Sequence, residues 1–87
     1  MPYISNETRQ KFNNLSEHCP EIATKGELEY VIFWMMKKYM QDKPQKYTEL
    51  HNCVYAAQHC SDEFRRRFLD VREKMAMFEN GDIEILK

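Results

Sequence analysis

Between Lys46 and Asn80 the chain contains neither glycine nor proline, so nothing in that stretch forces a helix to stop. Apolar or small residues recur there at Leu50, Val54, Ala57, Ser61, Phe64, Phe68, Val71, Met75 and Phe78. The gaps alternate between four and three, a repeat of about 3.5 residues that marks the seam of a helix packed lengthwise against other helices. Ser61 is the polar member, with Cys60 beside it partly filling the gap. Asp62, Glu63, Arg65, Arg66, Arg67, Arg72, Glu73 and Lys74 lie away from the seam. This stretch predicts an all-α fold: a small helical bundle of three to four helices with a long third helix.

The preceding residues supply the shorter elements. Met1 to Ile4 read as an apolar arm, with Tyr3 and Ile4 able to cover a core edge or a neighbouring subunit. Ser5 or Asn6 can cap a first helix, which would carry Phe12, Leu15 and Cys19 and end at Pro20. Thr24-Lys25-Gly26-Glu27 has the form of a capping box, in which the Glu27 carboxylate would reach back to the Thr24 amide. The second helix would run to about Gln41, with Leu28, Val31, Ile32, Met35, Tyr39 and Met40 on one broad face. Tyr30, Phe33, Trp34 and Met36 spread its apolar surface almost all round, as in a helix central to its fold. Too few other helices exist here to cover it, so part of its surface is predicted to be buried by another subunit. Asp42 to Gln45 form a connector, and Thr48 is the expected cap of the third helix. Asp70-Val71-Arg72-Glu73 has the form of a further capping box, which predicts a break near Leu69 and a short fourth helix. Asn80 or Gly81 would end it, and residues 83–87 would form a tail, either a short strand or an extended arm.

An 87-residue chain has room for a single domain, here residues 1–87, and buries a modest fraction of its surface when alone. With 13% aromatic residues and six Met, the apolar content is large for such a core, which again points to an oligomer. The formal net charge of −1 gives no global field toward nucleic acid or an anionic membrane, so neither general nucleic-acid binding nor membrane association is expected. Three cysteines, an odd number, follow a polar N-terminus without a signal-peptide core, which reads as a reduced cytoplasmic protein. The longest apolar run, Tyr30 to Met36, is too short to span a bilayer.

The densest charge cluster is Asp62-Glu63-Phe64-Arg65-Arg66-Arg67. On a helix Asp62 would face Arg66 and Glu63 would face Arg67, each acid in the favourable N-terminal position. The bland reading is a solvated face laced with ion pairs; the functional one is that one or two arginines hold a phosphate or carboxylate. The three arginines fan around a helix about 100° apart, so they do not all serve one site. Asp62 is expected to hold Arg66 in place. His51, Cys53, His59 and Cys60 resemble metal ligands at first sight, but residues one or two apart on a helix diverge, and no metal site or cofactor is expected. His18 beside Cys19 and His59 beside Cys60 fail as nucleophile–base pairs for the same reason. No phosphate-binding loop, dinucleotide fingerprint or nucleophile elbow is present, and an enzyme is not expected. The five tyrosines read first as core or interface residues, and more sharply as a stacking wall for a planar ligand.

Met-Pro-Tyr-Ile at residues 1–4, Gly26 to Ile32, Tyr47, Glu63-Phe64-Arg65-Arg66 and Glu79-Asn80-Gly81-Asp82 together resemble a family of small proteins of bacteriophages and some bacteria, described as a domain of unknown function. The family pattern often has Asn at the place of Glu29, Tyr at that of Arg65, and Pro near Val71, which would favour a helix break there. The resemblance implies a phage or phage-derived context and supplies no reaction. It places Glu27, Tyr30, Glu63, Arg66, Asn80, Gly81 and Asp82 within the shared pattern; capping and turn formation account for Glu27, Asn80 and Gly81, but less readily for Tyr30, Glu63 or Arg66.

The expected function is therefore that of a small binding protein in the host cytoplasm, counteracting host defence by sequestering a nucleotide-derived immune signal between subunits of a helical homo-oligomer. Tyr30 or Tyr47 would stack the base, Arg65, Arg66 or Arg67 would hold phosphate, and Glu63 belongs to the same candidate site. The alternative is a protein–protein inhibitor or adaptor that docks on a host protein through the second helix and Met75 and Met77. A small hydrolase or lyase using Glu63 and a histidine ranks third.

Overall fold

The computed structural model describes residues 3–83, and every regular element among them is helical. Helix α1 spans Asn6–Arg9 and continues as a 3-10 turn over Gln10–Phe12; α2 spans Leu15–His18, α3 Lys25–Met40, α4 Tyr47–Phe64 and α5 Asp70–Asn80. The predicted first helix is thus three short pieces. Ser5 caps the first, its hydroxyl oxygen accepting from the Thr8 amide at 3.2 Å. Cys19 takes extended geometry before Pro20, where the proline disfavours helical angles.

The capping box at the start of α3 forms in modified shape. The Thr24 hydroxyl oxygen accepts from the Glu27 amide at 3.1 Å, as expected. The Glu27 carboxylate, however, accepts from the Thr24 hydroxyl at 3.0 Å and the Ala23 amide at 3.5 Å rather than from the Thr24 amide. Helix α4 starts at Tyr47 with Lys46 as its extended first flank, so Thr48 lies inside the helix instead of capping it. In the connector Lys43 donates to the Tyr39 carbonyl at 2.9 Å and lies over the Tyr39 ring at 3.9 Å.

The predicted break at Leu69–Asp70 is absent: Tyr47 to Asn80 form one helical rod of 34 residues. A π-helical turn, Arg65–Leu69, interrupts it without ending it. The Asp70 amide donates to the Arg65 carbonyl five residues back, and Asp70 has helical angles (φ −62, ψ −36), whereas a capping residue needs extended ones. The extra residue in that turn rotates everything downstream by about 100° relative to an uninterrupted α-helix. The seam is therefore two faces, one on α4 from Leu50 to Phe64 and another on α5 carrying Val71, Met75 and Phe78. At the far end Gly81 adopts φ +85, a positive angle that favours glycine, and takes the chain out of the helix. Of the predicted tail, the residues after Ile83 lie outside the described region, as do Met1 and Pro2 of the arm.

Helix α3 packs against α4, with Met36 beside Cys53 and the Tyr39 hydroxyl donating to Glu49 at 3.4 Å; Met40 and Ala57 are half-buried. Cys53 is 6% exposed and is the buried hydrophobic residue of the described chain; its thiol donates to the Met36 carbonyl at 3.5 Å. Leu28, Ile32 and Met35, expected on the packed face, are exposed, and so are Phe33 and Trp34. The molecule is elongated, 51 Å along its longest axis, as a rod of this length at 1.5 Å per residue requires. Its radius of gyration is 17.5 Å, against about 12 Å for a compact chain of this length. Its accessible surface is 8644 Å², where a compact chain of this mass presents about 5,500 Å².

Candidate functional site at the π turn

The π turn is where the N-terminal arm meets the long helix. Arg9 donates through Nε to the Ile4 carbonyl at 2.9 Å and fixes the arm as it enters α1. This places Tyr3 over the side of the rod. The Tyr3 hydroxyl donates to Glu63 Oε1 at 2.9 Å and accepts from Arg67 at 2.8 Å. Arg66 donates to the same Glu63 oxygen at 2.5 Å. The Arg67 guanidinium carbon lies 5.9 Å from the centre of the Tyr3 ring, within cation–π range. Four side chains from two distant parts of the sequence thus share one polar cluster.

The pairing differs from the sequence expectation. Arg66 is held by Glu63, and Asp62 instead pairs with Arg65 at 3.4 Å. The Tyr3 hydroxyl stands between Glu63 and Arg67 where a direct pair was expected, which leaves Glu63 to Arg66. The Glu63 side chain is 12% exposed, while Arg66 remains open to solvent. The Tyr3 hydroxyl is the largest cause holding the Glu63 carboxyl below its usual value; burial opposes it, and Arg66 and Arg67 add to the lowering. An ionised Glu63 against two guanidinium groups leaves a local surplus of one positive charge. That arrangement can accept an anion on the exposed edges of Arg66 and Arg67.

The other candidate residues lie elsewhere. Tyr47 starts α4, 78% exposed, in a ladder of rings at successive turns: Tyr47 to His51 at 5.1 Å, His51 to Tyr55 at 4.1 Å and Tyr55 to His59 at 6.0 Å. It stands about 24 Å along the rod from Glu63, beyond the reach of one nucleotide-sized ligand on a single chain. Tyr30, 72% exposed, borders a cleft of about 350 Å³ with Cys19, Pro20, Ile22, Gly26 and Glu27. No hydrogen bond or ring contact joins Tyr30 to the arginines among the described residues. Arg65 turns to Asp62 and stays outside the Tyr3 cluster. Tyr3 itself was missing from the sequence-derived site. The available signal was its place in the Met-Pro-Tyr-Ile piece of the shared pattern, alongside Glu63 and Arg66.

Among the described residues no group of three potential metal-ligating side chains converges. No described helix is long and apolar enough to cross a membrane. What fold and site together define is a small all-helical protein: a helical hairpin extended into a rod, with a tyrosine–glutamate–arginine cluster at a π turn. The chain belongs to the family described as domain of unknown function DUF6899, whose pattern matches residues 1–83. No curated protein and no solved structure matches it significantly.

Proposed function

We propose that this protein acts by occupancy rather than turnover, holding a nucleotide-derived signal in a pocket formed between copies of a homo-oligomer. The observation that supports this reading is the cluster of Tyr3, Glu63, Arg66 and Arg67, a preorganised set of donors with one surplus positive charge. Arg66 and Arg67 take the phosphate, and Tyr47 or Tyr30 stacks the base. Such a pocket gains affinity from being built before the ligand arrives. In a bacteriophage acting in the host cytoplasm, the effect is to withdraw an immune signal from its receptor. Calorimetry against a panel of cyclic nucleotides and ADP-ribose derivatives tests the reading: a stoichiometric heat with at least one of them is expected, and folded protein that binds none overturns it.

A second reading, docking on a host protein, draws on the end of the rod. Phe78 is 93% exposed and borders an open apolar cleft of about 550 Å³ with Val71, Lys74, Met75 and Glu79. A host protein retained in stoichiometric amount by the wild type, and lost with Phe78→Glu, would favour it over the first.

A further inference from the structure

Building on the proposed anion site, we infer that its stacking platform is the His59 ring, backed by Tyr55: the base of a nucleoside phosphate lies on His59 while Arg66 of the same chain takes the phosphate. The arginines supply charge but no surface for a base. Tyr47 stands about 24 Å away along the rod, and no contact joins Tyr30 to the arginines among the described residues. A ring one turn from Glu63 fills that gap.

Helix geometry puts His59 on the face of the site. His59, Glu63 and Arg66 fall at i, i+4 and i+7 of the long helix. At 100° per residue, Glu63 and Arg66 lie within about 40° of His59 around the axis, one on either side of it. The π turn begins at Arg65 and leaves this alignment in place, because Arg66 still bonds to Glu63. Tyr55 precedes His59 by one turn on the same ridge, with the two rings 6.0 Å apart and nearly parallel at 21°. Packing within the chain leaves this face free. Cys53, buried beside Met36 of α3, lies about 120° around the helix from His59, and both His59 and Tyr55 are exposed.

The spacing suits a nucleotide. His59 lies about 6 Å before Glu63 along the axis and about 10 Å before Arg66. Helix side chains lean toward the N-terminus, and Arg66 does so, reaching back to Glu63 at 2.5 Å. Its guanidinium therefore ends about one turn from the His59 ring, a gap of the kind that a ribose bridges between base and phosphate. The Arg66 side chain is 70% exposed, so the edges it does not turn to Glu63 are open to a ligand. Tyr55 lies along one side of the His59 ring, and no other ring contacts His59 among the described residues. Stacking on the free side is tolerant of base identity, because every base has a π face. The ligand class is thus nucleoside phosphates read by ring and charge, and the outer face of the base stays open to a tyrosine of another copy in the pocket proposed above.

The test compares AMP with ribose 5-phosphate, which carries the same phosphate and sugar without the base. Titrations of the full chain followed by proton NMR should show AMP binding at least about fivefold tighter, with the His59 ring protons shifted upfield by AMP alone. His59→Ala, at an exposed position that suits alanine, should bring AMP down to the affinity of ribose 5-phosphate, and His59→Phe, which keeps a ring, should retain the preference. Arg66→Ala should weaken both compounds. Equal affinities in the wild type overturn the platform while leaving the anion site standing. So does an AMP preference that survives His59→Ala in folded protein, or one lost equally in His59→Phe. AMP binding untouched by Arg66→Ala overturns the pairing of ring with arginine. If neither compound binds to folded wild type, the anion site fails and the platform falls with it.

Discussion

Tyr3 gives the polar cluster its character, because its hydroxyl is at once a donor to Glu63 and an acceptor from Arg67. A carboxylate held by a hydroxyl and a guanidinium stays ionised at a pH where a free one would take up a proton. Its folded-state pKa lies below its unfolded one, so the contribution to stability is present above the ordinary carboxylate range and disappears as pH falls through the lowered value. Tyr3→Phe removes the largest cause of that shift while keeping the ring. In that variant the Glu63 carboxyl should titrate closer to its ordinary value, and acid destabilisation should begin at a higher pH. Carbon NMR titration of side-chain carboxyls in wild type and variant measures this directly; an unchanged Glu63 titration would place Tyr3 outside the cluster in solution. Tyr39 moves oppositely: burial first, and then the Glu49 carboxylate, raise its pKa. Its contribution is present below the ordinary tyrosine range and declines only in strong alkali.

At the scale of elements, the local chemistry of the termini was legible and the interior of the long helix was not. Ser5, Thr24 and Gly81 act where their residue types suggest, because a cap or a positive-φ exit depends on a few neighbouring atoms. The predicted seam located the rod, but the Asp70 box misled: its four residues fit a helix start, while the chain around them already had helical geometry to propagate. The π turn has no such residue signature, since Arg65 to Leu69 contains no glycine or proline. Its neighbour is Tyr3, 60 positions from Glu63, and a contact that distant leaves no trace in local periodicity. Two predictions separate these levels. Thr24→Ala should cost about 1 kcal/mol of stability, the usual worth of such a cap, read from denaturant unfolding of wild type and variant at equal concentration. Deleting Leu69 removes the extra residue of the π turn and should leave far-ultraviolet helicity unchanged or slightly raised, because an unbroken α-helix replaces it. The same deletion turns α5 by about 100° relative to α4 and should weaken whatever binds across the turn. Full binding by the deletion variant would show the π turn to be incidental.

For the whole molecule, the decisive relation is between the apolar content and the area available to bury it. The aromatic and methionine content that suggested a partner from composition remains largely on the surface, with Phe33, Trp34, Phe64 and Phe78 all exposed. Conformational entropy of about 1–2 kcal/mol for each ordered residue has to be offset mainly by apolar burial, and the contacts within one chain supply little of it. Folding and assembly should therefore be one transition, with stability tied to protein concentration by mass action. A hundredfold increase in concentration is worth about 2.7 kcal/mol to a folded dimer, so the thermal midpoint should rise by several degrees across that range. Circular dichroism melts at a series of concentrations, with mass measured by light scattering at each, make the comparison. A midpoint that holds constant while the mass stays that of one chain would mean that the hairpin and rod are stable alone, and the exposed faces would then have to be explained by something other than self-association.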